Sequence, residues 1–168
     1  MNGIFLPDIF AETVFDIDLE KLKKDGIKAF IFDIDNTLAT YAMPVADPKT
    51  AEWVRRLKTL GFEVFIASNN NHERVRVFSE DLGVTFFAKA LKPLDIYLRK
   101  ACKIMGVKPK ETALVGDQLF TDIWGGNRYK CYTVLVTPIE PKGDPAFVKF
   151  KRIFEKPVMK KFKKSESN

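Results

Sequence analysis

The stretch Ala29 to Tyr41, "AFIFDIDNTLATY", decides how the rest of the chain is read. Its first four residues are apolar enough for a strand buried on both faces, yet Asp33 and Asp35 stand at its C-terminal end. Ionised carboxylates are costly to desolvate unless a cation compensates them. The stretch therefore predicts a core strand that opens directly onto a cation-binding site.

Working outward, four further segments share the apolar, β-rich character of "KAFIFDI": "FEVFIAS", "VTFFA", "TALVGD" and "CYTVLV". Nearly continuous apolar runs of this length suit strands of a parallel sheet covered on both faces. Helical patterns lie between them. Residues 48–60 follow the cap-and-first-turn pair Asp47-Pro48 and stop at Gly61, residues 72–82 stop at Gly83, and residues 93–105 start at Pro93 and stop at Gly106. Residues 119–124 run into "GGN" at 125–127, which reads as a helix terminator. Regular alternation of strand and helix predicts an α/β fold, a doubly wound parallel sheet. In such sheets ligands bind beyond the C-terminal ends of the strands.

The polar residues just past each run bear on that rule. Asp33, Asp35 and Thr37 follow the first, "SNNN" from Ser68 follows the second, "KALKP" with Lys89 and Lys92 follows the third, and "GDQLFTD" with Asp117 and Asp122 follows the fourth. Taken singly, Asp33 and Asp117 suit turns, Ser68 a helix cap and Lys92 the surface. Jointly they converge on one sheet edge and describe a site for a divalent cation and a phosphoryl group.

Composition narrows the alternatives. A chain of 168 residues with 46% hydrophobic and 30% charged content and 15 Phe suits one soluble globular domain spanning 1–168. No run of about eighteen apolar residues suggests a membrane span. The N-terminus lacks a basic region and a small-residue cleavage site, so the cytoplasm is the expected location. Cys102 and Cys131 sit in unrelated contexts and are expected to be buried free thiols. Neither GxxxxGKS/T nor GxGxxG occurs. His72, the one histidine, reads as a first-turn helix residue, and Trp53 and Trp124 read as packing residues. A phosphorelay receiver domain would carry its phosphorylated aspartate on the third strand, and "VTFFA" has none.

The net charge of +6 concentrates in residues 149–164, "KFKRIFEKPVMKKFKK", with eight Lys and Arg against one Glu. Such a segment is either a solvated tail or a surface for phosphates and anionic bilayers. Pro157 is expected to break any single helix there.

The ordered motifs Asp33-Ile34-Asp35-Asn36-Thr37, Ser68, Lys92 and Gly116-Asp117 through Asp122 resemble those of haloacid dehalogenase superfamily phosphatases, subclass III. The match covers about residues 27–137. "DIDNTL", "SNNN", "ALKP", "GDQLFTD" and the leader "LPDIF" with "DIDLEKLKKDGIK" are similar to the YqeG family, which is related to phosphatidylglycerophosphate phosphatases. The resemblance implies Asp33 as nucleophile and Asp35 as general acid and base. It implies Mg²⁺ held by Asp33, the Asp35 main-chain carbonyl and Asp117. Ser68, Asn69 and Lys92 would bind phosphate, with Asp122 and Thr37 behind them.

Cap domains of this superfamily are inserted between the first and third motifs, and neither gap here has room for one. An uncapped, open site is expected, suited to a large or surface-presented phosphate monoester. A phospholipid headgroup at an anionic membrane surface is one candidate, with peripheral membrane attachment, and a soluble small molecule is the alternative. A non-catalytic protein binding RNA or a partner is the least expected reading, and self-association is left open. "IFLPDIF" and "FVKFKRIF" would touch a bilayer, form subunit contacts or cover a sheet edge.

Overall fold

The computed structural model describes the backbone of residues 3–166 and the side chains of residues 3–155 and 157. Lys160, Lys161, Lys163 and Lys164, part of the expected basic surface, lie outside the described side chains.

The elements, in chain order, are β1 (Ile9–Ala11), α1 (Leu19–Lys24), β2 (Ala29–Phe32), α2 (Pro48–Thr59), β3 (Glu63–Ala67), α3 (His72–Asp81), β4 (Thr85–Phe87), α4 (Ile96–Met105), β5 (Thr112–Gly116), α5 (Trp124–Tyr129), β6 (Tyr132–Val136) and α6 (Ala146–Glu166). The strands form one six-stranded sheet in the order β1-β6-β5-β2-β3-β4, with every pairing parallel. This is the doubly wound α/β arrangement expected.

Side-chain alternation explains why the strands read as continuous apolar runs. On β2, Phe30 and Phe32 face one layer with Trp53, Val54 and Leu57 of α2 and Val75 and Phe78 of α3. Ile31 faces the other layer with Leu98 and Ala101 of α4. Both faces of β2 are thus covered, so both of its register positions are apolar. α2 starts at the expected cap, Asp47, which accepts from the Thr50 N–H at 2.8 Å, whereas α3 is capped not by Ser68 but by Asn71, which accepts from the Arg74 N–H at 2.9 Å.

The chain winds from β2 through β3 to β4, then returns to β5 on the opposite side of β2. β2 and β5 are therefore neighbours whose connections leave in opposite directions, with Phe32 level with Val115. A crevice opens at such a point, and the residues that follow both strands enter it.

Several expectations are corrected. β1 is a sixth strand, paired to β6 through Ile9 and Val134, and Phe5 before it packs against Phe120 and Trp124. The end of "IFLPDIF", Ile9 and Phe10, thus extends the sheet past β6 and covers its edge. Pro93 does not begin a helix: α4 starts at Ile96. "GGN" does not end a helix but lies inside α5, where the missing side chains let the helix approach the sheet. A Cβ on Gly126 would stand 2.6 Å from Thr133 Cγ2 and 3.0 Å from Leu114 Cδ2. Gly126→Ala is accordingly expected to destabilise the protein by about 1–3 kcal/mol, the usual cost of overpacking, visible as a lower urea midpoint.

Pro157 lies inside α6, which continues through it. Proline removes one backbone donor and crowds one carbonyl, while the turns on either side keep their own bonds. The two cysteines are buried free thiols, as expected, and Cys102 Sγ lies 3.6 Å from Thr112 Oγ1.

Candidate active site

β2 delivers Asp33, whose N–H still bonds to the Val115 carbonyl of β5 at 3.0 Å. The chain then turns sharply. The Ile34 carbonyl accepts from the N–H groups of Thr37, Leu38 and Ala39, and Asn36 adopts φ 64°. That left-handed conformation is one that asparagine tolerates better than most residues. The turn brings Asp35 to the same pocket as Asp33; on a straight strand the two side chains would share a face but stand about 6.6 Å apart along it.

Ser68 follows β3, and its N–H bonds to the Phe87 carbonyl of β4 at 3.0 Å. The Ser68 hydroxyl accepts from the Asn70 N–H at 3.2 Å. Asn69 lines the pocket, yet its amide is committed to the Lys92 main chain: Oδ1 accepts from the Lys92 N–H at 2.8 Å and Nδ2 donates to the Lys92 carbonyl at 3.2 Å. Its amide thus holds the main chain of Lys92 in place.

Lys92 Nζ reaches Asp33 Oδ1 at 2.9 Å and Asp122 Oδ1 at 2.7 Å. From β5 come Asp117, with Thr37 Oγ1 3.4 Å from its Oδ1, and the fully buried Asp122. Gly116 is required here, because a Cβ would stand 2.3 Å from the Asp122 carboxyl.

One carboxylate oxygen each from Asp33, Asp117 and Asp122 lies within 4.8 Å of the others, all three residues being buried. Burial, with the charges of Asp122 and Asp35, raises the Asp33 pKa to about 7 despite Lys92. Burial and Asp33 likewise hold Asp117 well above the usual carboxylate range despite Arg152. Burial disfavours the Lys92 ammonium, but Asp122 and Asp33 outweigh it and raise its pKa. Hard oxygen donors crowded with too little positive charge fit a divalent cation.

This crowding gives a pH prediction. The folded-state pKa of Asp33 lies above its unfolded value, so its contribution to stability is complete below about pH 4 and is lost as pH rises through 7. Metal-free protein should weaken across that window. Added Mg²⁺ should raise the melting temperature more at pH 8 than at pH 5.5, by at least about 3 °C, the shift that ~1 kcal/mol produces in a chain this size. Differential scanning fluorimetry at both pH values checks this.

The pocket measures about 270 Å³, and its floor includes Asp33, Asp35, Ser68 and Lys92. Phe147, Val148 and Lys151 of α6 line one wall, so the C-terminal extension contributes directly to the pocket. Arg152, expected on the basic surface, instead turns inward and pairs with Asp117 and Asp144.

Other site residues escaped the sequence. Asn70 Nδ2 donates to Asp35 Oδ2 at 2.8 Å, and Arg74 Nη2 reaches Asp35 Oδ1 at 3.2 Å while its guanidinium also binds the Thr40 and Met43 carbonyls. Asn36 Nδ2 donates to Asp144 Oδ1 at 2.6 Å. "SNNN" and "DIDNT" hinted at Asn70 and Asn36, whereas nothing local marked Arg74, Asp144 or Arg152.

Fold and site together define a doubly wound α/β protein with a buried carboxylate cluster and a lysine at the crevice of its parallel sheet. Comparison with known proteins sharpens that class. Residues 41–129 match the family described as haloacid dehalogenase-like hydrolase. The "Probable phosphatase YqeG" of Bacillus subtilis is 41% identical over 164 residues, covering 98% of this chain and 95% of that one. "Phosphatidylglycerophosphate phosphatase 1, chloroplastic/mitochondrial" of Arabidopsis thaliana is 28% identical over 94% of this chain, which spans 48% of that protein's length. The cobalt-bound deoxy-D-mannose-octulosonate 8-phosphate phosphatase of Haemophilus influenzae shares the fold with a TM-score of 0.57 and 22% identity over 77% of each chain. The chain belongs to the haloacid dehalogenase-like hydrolase family, among its phosphatases.

Proposed function

We propose that this chain, as one domain, is a Mg²⁺-dependent phosphomonoesterase that works through an aspartyl-phosphate on Asp33. Asp33, Asp117 and the Asp35 main-chain carbonyl would hold the ion, which when bound offsets charge that otherwise repels an incoming phosphate. An ionised Asp33 oxygen attacks phosphorus as the ester oxygen departs with a proton from Asp35. Water then attacks the aspartyl-phosphate, giving its proton to Asp35 and releasing phosphate and free Asp33. Lys92 and Ser68 stabilise the transferring oxygens, and Asp122 holds Lys92 in place. Asn70 and Arg74 aim Asp35.

The proposed substrate is a phospholipid headgroup, phosphatidylglycerophosphate being the candidate that the Arabidopsis relative's name suggests. The observation that carries this reading is an exposed apolar stripe on α6, the helix that lines one wall of the site. Phe147, Phe150, Ile153 and Phe154 are exposed with Lys149 and Lys151 interleaved, and Phe147 and Lys151 line the pocket itself; Leu91, Leu94 and Ile96 around the third motif are exposed as well. Apolar side chains beside lysines suit an interface with anionic lipid, where each cation contributes roughly 1 kcal/mol. The modest size of the pocket, about 270 Å³, favours a second reading, a soluble small-molecule phosphatase.

A panel of phosphate esters, including phosphatidylglycerophosphate in micelles, assayed with and without Mg²⁺, separates them. The lipid reading expects Mg²⁺-dependent release that is fastest from the micellar lipid. Faster release from small soluble esters would favour the second reading, and release without a divalent cation would overturn the metal assignment.

A further inference from the structure

The cation site is built from the loops after β2 and β5, yet both loops are tied to a residue more than thirty positions downstream in sequence. Arg152, in the second turn of α6, is partly enclosed between three acids. Its Nη2 pairs with Asp117 Oδ2, and its Nη1 donates to the Asp117 main-chain carbonyl at 3.2 Å. Its Nε pairs with Asp144 Oδ2, and Nη1 stands 3.9 Å from Glu155 Oε2. Asp144 in turn holds Asn36 of the β2 turn, and Glu155 Oε1 accepts from the Phe120 N–H of the β5 loop at 3.4 Å.

We propose that Arg152 is a positioning residue for the divalent-cation site: by gripping Asp117 Oδ2 and the Asp117 carbonyl, it fixes the carboxylate with Oδ1 left for the ion. The inference rests on the carboxylate cluster being the metal site of the proposed function. Among the described residues, Oδ1 has only the neutral Thr37 hydroxyl as a hydrogen-bond partner. A planar guanidinium suits this task because its donors diverge in a fixed fork, so one group spans two acids and a carbonyl.

Two effects of Arg152 on a cation oppose each other. Its charge repels the ion, whereas its grip orders a ligand. Asp144 and Glu155 lie against the same guanidinium and offset much of its charge locally, so ordering is the larger effect. Partners that orient metal-binding carboxylates commonly change affinity or activity by about 10–100-fold when removed.

The test is Mn²⁺ binding, measured by electron paramagnetic resonance on the full chain. Arg152→Gln should raise the Mn²⁺ Kd about 10–100-fold, with phosphate release recovering toward the parent rate as Mn²⁺ is raised to saturation. Arg152→Lys should restore part of the affinity, since an ammonium cannot span both acids. A residue that merely ties down α6 would lower the melting temperature and leave the Kd of the folded protein unchanged. Should Arg152→Gln fail to fold, Asp144→Asn decides, with a smaller rise in Kd expected. A folded variant binding Mn²⁺ as tightly as the parent, or more tightly, overturns the proposal. A parent that binds no Mn²⁺ overturns it together with the metal assignment. A parent that binds Mn²⁺ but hydrolyses no ester sinks only the phosphatase reading, and the Kd comparison still judges Arg152.

Discussion

Asp33→Asn should lower phosphate release by about 10⁴-fold or more, the order of loss found when a nucleophile is removed from a cooperating set. The amide has nearly the shape of the carboxylate but is a far poorer nucleophile. Fold should survive, for a specific reason. Asp33 is the carboxylate whose pKa burial and its acidic neighbours lift to about 7, so at pH 8 its charge is held against those neighbours. Replacing it removes like-charge repulsion as well as one contact to Lys92, and Lys92 keeps Asp122 at 2.7 Å. Circular dichroism and a melting curve on the assayed sample establish that the loss is chemical. A folded variant with turnover within tenfold of the parent would reject Asp33 as nucleophile.

Lys92→Met is expected to damage both stability and chemistry. Lys92 is the cation between Asp33 and Asp122, with both partners almost fully enclosed. Removing one side of a buried charge cluster leaves the other uncompensated, typically costing about 3–5 kcal/mol. Loss of a charged group that stabilises the transferring phosphoryl oxygens should add a fall of roughly 10²–10³-fold in kcat. A divalent cation restores positive charge to the same carboxylates, so Mg²⁺ should recover more stability in Lys92→Met than in the parent. Urea unfolding with and without Mg²⁺ measures this. Stability within about 1 kcal/mol of the parent would mean that the three acids do not depend on Lys92 for compensation.

The sequence revealed the central sheet because strands covered on both faces leave no ambiguity of period: "AFIF", "EVFIA" and "TALVG" have no polar face to hide. It revealed Asp33, Asp35, Ser68, Lys92, Asp117 and Asp122 because each follows a strand at the edge where parallel sheets bind ligands. What escaped depends on distance along the chain. β1 is three residues long and gains its place only by pairing with β6, more than a hundred positions away. Gly125 and Gly126 look like a stop until Pro93 is seen against the first and Thr133 and Leu114 against the second. Arg152 looks like one more cation of a basic tail, and only the packing of α6 over the β5 loop turns it toward Asp117. Charged residues on a helix gain roles from what the helix packs against, which periodicity does not encode.

The most direct test of the central claim is to trap the covalent species. Protein turning over a phosphate ester with Mg²⁺ is quenched with borohydride, which reduces an aspartyl-phosphate to homoserine, and the peptides are sequenced by mass spectrometry. The account predicts homoserine at Asp33 alone, dependent on substrate and absent in Asp33→Asn. Homoserine at Asp35, or sustained turnover with none at either position, would contradict it.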